Sequence, residues 1–212
     1  ISLGIGQGYN NFTMLQLASA TATLVSGGQR HQPRLVRDVE DVLTGQRRRV
    51  TGEPVAPLDY RPEHVDVIRK ALQGVALEGT SARAFAGAGY ASGGKTGTAQ
   101  AVGARANEKY NAARLEEHKR DHALYVAAAP IDAPTVALAV IVENAGWGSQ
   151  SAAPIARRVF DYLLLGHYPS EEDLAAMREG KALAPIGKPR QASDLPLPGA
   201  GAAALSAPSA PP

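Results

Sequence analysis

Cysteine is absent from the 212 residues, which excludes a disulfide framework and any thiolate metal site. Charge of one sign is absent too. A net charge of +2 provides no field of the kind that draws nucleic acid. No apolar run approaches the ~20 residues that a membrane-spanning helix needs. The five histidines show no metal-ligand spacing, and no internal repeat occurs. What is there is 44% hydrophobic, enough for a sizeable core in a length that suits one domain with a tail. The first residue is Ile1 rather than methionine, and the chain reads as a piece of a longer polypeptide.

Apolar spacing organises the chain. "TMLQLASATATLV" at 13–25 places Leu17, Ala20/Thr21 and Leu24 on one helical face, and Gly27-Gly28 stops the helix. Val/Leu-rich runs flank Thr44-Gly45, which suggests a polar surface hairpin. Residues 62–78 form a second helix, with Pro62 in its first turn and Val65, Ile68, Leu72 and Val75 at helical spacing. "GTSARAFAGAGYASGG" is loop-like, and the mixed-charge stretch 104–121 is a solvated helix or long loop. "HALYVAAAP" and "TVALAVIVEN" flank "PIDAP" and predict an antiparallel hairpin buried on both faces. Ser151 can cap a last helix that buries Ile155, Val159, Phe160 and Leu163. "SEEDLAAMREG" reads as a short surface helix. From Leu195 onward there is no charge, and that segment cannot bury enough to offset its ordering entropy.

One stretch, "GYASGGKTGTAQ" at 89–100, satisfies three motif templates. As a phosphate loop, G-x-x-x-x-G-K-[ST], it needs a buried strand before it and a helix after it. "ARAFAGAG" before it is no β-run, and "GTAQAVG" after it is a poor helix start. As an S-x-x-K nucleophile, Ser92 and Lys95 must share a helix face. Ser92-Gly-Gly-Lys95 is not helix-forming, and an extended chain points them to opposite faces. As K-T-G it needs a strand that an extended peptide can join. Lys95 then supplies charge for a carboxylate and for proton transfer. Thr96 and Thr98 face one side, Gly97 leaves the other open, and the Thr98 N–H is placed to stabilise an oxyanion. A plainer alternative stays open for a lone K-T-G: a gatekeeper lysine on an edge strand, with the glycines a bulge. That alternative would make the chain a non-catalytic interaction module. His122 beside Asp121 reads as an orienting or surface pair. Trp147 either rims a cleft or packs under the last helix.

The surroundings bear on the choice. "LGIGQGY" at 3–9, "LQLA" at 15–18, "SGG" at 26–28, "GTSARAF" at 79–85 and "GGKTGTAQ" at 93–100 together resemble class B penicillin-binding proteins, from about Leu3 to Leu165. "NEKYNAARLEEHKRDHALYVAAAP" at 107–130 is more similar to the penicillin-binding protein 2 branch, the transpeptidase of cell elongation, than to the division branch. The resemblance implies an α+β fold with a five-stranded antiparallel sheet flanked by helices. Its first two strands, nucleophile helix, pedestal domain and membrane anchor are expected upstream of this chain. The activity implied is that of a peptidoglycan D,D-transpeptidase. Its serine attacks the penultimate D-Ala of a stem peptide, releases D-Ala and passes the acyl group to a neighbouring amine. The residues carried over are Lys95 and Thr98 as catalytic, and Thr96, Gly97, Thr98, Ala99 and Gln100 as the substrate-binding strand. No cofactor or metal is implied. Stem peptides, β-lactams, a membrane glycosyltransferase and an elongation scaffold are the implied partners, with no nucleic acid. The implied location is the periplasmic face of the bacterial inner membrane.

Four departures stand out. Met14 occupies a family proline position and Asn10 a family aromatic position. No S-x-N occurs, and Tyr9-Asn10-Asn11, which fits the variant Y-x-N, belongs structurally to the "GIGQGY" segment. The S-x-x-K serine is expected upstream, so this chain alone is expected to be inactive. Residues 1–168 are then the C-terminal portion of the transpeptidase domain. Residues 169–212 are expected to be a polar, then Ala/Pro-rich tail, largely disordered.

Overall fold

The structure is a computed structural model that describes residues 11–101, 115–181 and 183–195. Segment 3–9, the Tyr9-Asn10 part of the Y-x-N match, most of the charged stretch 104–121 and the uncharged end beyond Leu195 lie outside the described residues.

Helix α1 (Met14–Val25) starts where Thr13 and Gln16 cap each other reciprocally, each side chain accepting from the other's backbone N–H. It stops at Gly27 and Gly28, both at positive φ. Strands β1 (Asp38–Glu40) and β2 (Arg47–Arg49) form the expected hairpin. The Asp41 carboxylate accepts from the N–H groups of Leu43 and Thr44, each at 2.9 Å, which shapes the turn. Those two bonds, Thr44 first, hold the Asp41 carboxyl below the usual carboxylate range. Helix α2 (Pro62–Leu77) buries Val65 and Ala76 but leaves Ile68 open. Its Arg69 donates to the Val25 carbonyl at the end of α1, 2.7 Å from Nε.

The segment expected to be loop throughout contains one helical turn, α3 (Ala82–Phe85). Phe85 is buried and anchors it. Strands β3 (Gly93–Ala99), β4 (His122–Ala129) and β5 (Val136–Val142) then form an antiparallel sheet in the order β3-β4-β5. These are three of the five strands the resemblance implies. Alternation along β4 turns Ala123, Tyr125, Ala127 and Ala129 to one face and Ala128 to the other. Val25 and Ile131 meet Ala128 on that second face. Helix α4 (Ala152–Leu165) covers the first face. Its Ala152, Ala153 and Ala156 join the β4 alanines in one cluster, and such small side chains let helix and sheet approach closely. Phe85, Tyr125 and Phe160 fill the space beside them, with ring centroids 5.9 and 6.4 Å apart.

Three expectations about this half need correction. The β4–β5 hairpin is not buried on both faces, because β5 is half-buried along most of its length. Of the four side chains assigned to the buried face of α4, only Phe160 is inside; Ile155, Val159 and Leu163 are exposed. The buried face is instead Ala152, Ala153, Ala156, Arg157 and Phe160, because the alanines set how the helix meets the sheet. Ser151 sits at the N-cap position without capping, and its hydroxyl donates to the Ala145 carbonyl at 2.9 Å.

Helix α4 ends at Gly166, at φ 67°, with His167 N–H bonded back to Asp161 and Gly166 N–H to Tyr162. Beyond it, helix α5 (Glu171–Arg178) begins at Ser170, whose hydroxyl accepts from Asp173 N–H. Helix α5 is the short helix predicted within "SEEDLAAMREG", and it is tied to α4. Asp173 is fully buried and takes two bonds from Arg158, at 2.6 and 2.8 Å. Arg158 also donates to the carbonyls of Pro154 and Leu183.

Candidate active site

Small residues let β3 exist where it does. A Cβ at Gly94 would sit 2.5 Å from Cζ of Tyr125 and 2.7 Å from the Val126 carbonyl. One at Gly93 would sit 2.7 Å from Cδ1 of Ile131. The strand runs unbroken through Lys95, Thr96, Gly97 and Thr98 to Ala99. That excludes the phosphate-loop geometry, which requires a helix to begin at the lysine. Among the described residues β3 pairs with β4 and is an edge strand of the three-stranded sheet.

The register decides which groups share a face. Lys95 lies opposite Val126, Thr96 opposite Tyr125, Gly97 opposite Leu124 and Thr98 opposite Ala123. Thr96 and Thr98 therefore share the face of Tyr125 and Ala123, while Lys95 and Gly97 share the other. The Lys95 side chain is exposed, and its Nζ donates to the Thr96 carbonyl at 2.8 Å. Ser92 is buried just before the strand. A buried serine and an exposed lysine leave the S-x-x-K match without the shared helix face it needs. Gln100 follows β3 and is exposed.

Four features brace this strand. The Thr96 hydroxyl meets the Thr80 hydroxyl at 3.0 Å. The Tyr125 hydroxyl meets Ser81 Oγ at 2.9 Å, and Ser81 donates to the Val75 carbonyl at 3.0 Å. Burial pushes the Tyr125 phenol up to about 12. Gly148 presses onto the β3–β4 pair, where a Cβ would come within 2.9 Å of the Gly97 carbonyl. Finally, Arg157 gathers the carbonyls of Ala84, Ala86 and Gly87 at 2.9–3.4 Å while bonded to Asp161 at 2.8 and 3.0 Å. Tyr90 completes that buried group through its bond to Asp161, 2.8 Å. Burial, then the Asp161 carboxylate, raises the Tyr90 phenol above its ordinary value.

This strand, with its Lys-Thr-Gly-Thr run, lies inside a match to the family described as "Penicillin binding protein transpeptidase domain", which covers residues 1–161. The chain belongs to the penicillin-binding protein transpeptidase family. It is 41% identical over 177 residues to the peptidoglycan D,D-transpeptidase MrdA of Haemophilus influenzae, covering 81% of this chain and 27% of that relative. Among solved structures, penicillin-binding protein 2 of Pseudomonas aeruginosa in complex with WCK 5153 is similar at TM-score 0.61 and 36% identity, covering 77% of this chain and 33% of that one. Penicillin-binding protein A of Mycobacterium tuberculosis, as a ceftriaxone acyl-enzyme complex, is similar at TM-score 0.59 and 28% identity, covering 77% and 35%. The chain thus spans about a quarter of the curated relative's length.

Within that match, β3 is the strand that carries the Lys-Thr-Gly-Thr run. Sequence reasoning brought Lys95 through Ala99 onto one strand but missed Thr80, Ser81 and Arg157, which hold it. Their signal was weak: hydroxyls in a glycine-rich segment and an arginine on a helix otherwise read by its apolar residues. His122 acts as an acceptor from Asn144 N–H through Nδ1, 2.9 Å, tying the start of β4 to the turn after β5. Trp147 is 65% exposed beside Gly148. Among the described residues no group of three or more His, Cys, Asp or Glu is placed to hold a metal, and no helix is long and apolar enough to cross a membrane.

Proposed function

We propose that residues 1–168 are the C-terminal portion of the transpeptidase domain of a peptidoglycan D,D-transpeptidase of cell elongation, and that β3 is its substrate strand. The observation that supports this most is an open-edged strand carrying Lys95-Thr96-Gly97-Thr98 in a chain of this family. A stem peptide ending in D-Ala-D-Ala adds to the free edge, pairing with backbone groups as far as Ala99 and Gln100. The hydroxyls of Thr96 and Thr98 donate to its terminal carboxylate, and the Lys95 ammonium adds positive charge. A serine outside this chain attacks the penultimate carbonyl. The Thr98 N–H stabilises the oxyanion that forms, and the C–N bond breaks to release D-Ala. An amine of a neighbouring stem then attacks the acyl-enzyme and frees the serine. β-Lactams acylate the same serine. A membrane glycosyltransferase and an elongation scaffold are the proposed partners, at the periplasmic face of the inner membrane.

Labelling by fluorescent penicillin tests this reading in a protein of the relatives' full length. Labelling that is blocked by excess benzylpenicillin and untouched by ATP is expected. Retained partner binding without any labelling would make the chain a non-catalytic module instead.

A further inference from the structure

We infer that Thr80 is a positioning residue, one that aims the Thr96 hydroxyl at the carboxylate of the substrate. The inference rests on the reading of β3 as the substrate strand. Thr80 and Thr96 are 16 residues apart, yet their Oγ1 atoms stand 3.0 Å apart. Each hydroxyl has one proton to give and can accept as well. If Thr96 spent its proton on Thr80, none would remain for a carboxylate. With Thr80 as donor, the Thr96 proton is left to point at the open edge of β3. A bound anion favours this second arrangement, because a chain of hydrogen bonds from Thr80 through Thr96 to the carboxylate polarises in one direction.

The turn that carries Thr80 is rigid, which makes such aiming possible. Its neighbour Ser81 is 1% exposed and bonded to both the Val75 carbonyl and the Tyr125 hydroxyl. Ser81 gives its single proton to Val75, so Tyr125 donates to Ser81. Tyr125 is the residue directly opposite Thr96 in the β3–β4 register. The Gly79 and Ser81 N–H groups close the end of α2 onto the Gly74 and Val75 carbonyls, both in the same turn. A Cβ at Gly79 would fall 2.7 Å from the Val75 backbone, so the turn is as tight as the chain allows. Thr80 is thus fixed from below while its hydroxyl reaches the strand.

The test compares acylation of the full-length protein by benzylpenicillin and by its methyl ester, which lacks the anionic acceptor. Thr80→Val keeps the shape and removes the donor. It is expected to slow benzylpenicillin acylation roughly three- to tenfold, the size of one net hydrogen bond. The loss should lie in the apparent dissociation constant rather than in the limiting rate, and the ester should react as with the unaltered protein. Thr80→Ser, which restores the hydroxyl, should restore the rate. Equal losses on both compounds would mark a general distortion and overturn the inference, as would failure of Thr80→Ser to rescue. Lys95→Ala separates the two levels of argument. If that variant is acylated normally, β3 is not the substrate strand, and the functional reading falls together with the role of Thr80. If Lys95→Ala fails while Thr80→Val acts normally, only the role of Thr80 falls.

Discussion

Two antiparallel ribbons in this molecule look alike in outline and differ in what holds them. In the β1–β2 hairpin every residue is exposed, and acids face bases across the strands, Asp38 opposite Arg49 and Glu40 opposite Arg47. In the β3–β5 sheet the middle strand is an alanine-rich layer sealed by α4, and charge appears only at the margin, on Lys95. The hairpin is specified locally, by its turn and its cross-strand pairs, and gains little from the rest of the fold. The sheet is specified by packing, so the strand that carries Lys95 is held from behind, while the three adjacent arginines on β2 are not.

The contrast can be broken most directly at the charges. Lys95→Ala should reduce penicillin acylation of the full-length protein by ~10²–10⁴-fold, the usual loss of one acid–base or charge-stabilising group. Arg48→Ala, on the hairpin, should leave acylation unchanged in the same assay. Next come the cores. Phe160→Ala should destabilise the transpeptidase domain by about 3–5 kcal/mol in urea denaturation. Val42→Ala, at a hairpin side chain that is 95% exposed, should stay within ~0.5 kcal/mol. A similar loss at both sites would show that the hairpin packs on something.

Smaller effects sharpen the picture. Gly94→Ala should cost about 1–3 kcal/mol, because the added methyl meets the Tyr125 ring rather than open space. Raising the pH should weaken the sheet and the α4 cluster behind it, not the hairpin. The Tyr125 phenol is pushed up from 10.0 to about 12 in the folded protein, so the unfolded chain releases its proton first. Stability present below about pH 10 should fall as pH rises towards 12; Tyr125→Phe should reduce that dependence, and the raised Tyr90 phenol should carry what remains. Least of all, Glu40→Gln should cost under about 1 kcal/mol, and added salt should erase even that. An unfolding series in salt would check it.

The same contrast explains what was legible. The turn at Thr44-Gly45, the glycine stop of α1 and the small-residue strand around Lys95 are local signals, and the structure has them where the sequence implies. The buried face of α4 was misread because Ile155, Val159 and Leu163 look more like a core than alanines and arginines do. Arg157 and Arg158 are buried by partners at Asp161 and Asp173 that no periodicity reveals, although the Arg157–Asp161 spacing of four was visible. The short helix at "SEEDLAAMREG" was legible as a surface helix within a polar stretch, yet one of its acids, Asp173, is fully buried. The Thr80–Thr96 contact is tertiary and had no sequence signal at all.

Arg157 and Arg158 are neighbours on one helix, but they hold different things. The first grips the loop that leads into β3; the second grips the segment beyond Gly166. Anyone trimming this protein for expression would be tempted to cut after Leu165, where the helix ends. Such a cut would strip the Arg158 guanidinium of Asp173 and of the Leu183 carbonyl, one residue from the Arg157 clamp behind β3. A shorter version that loses penicillin binding would be reporting on its boundary and not on its chemistry.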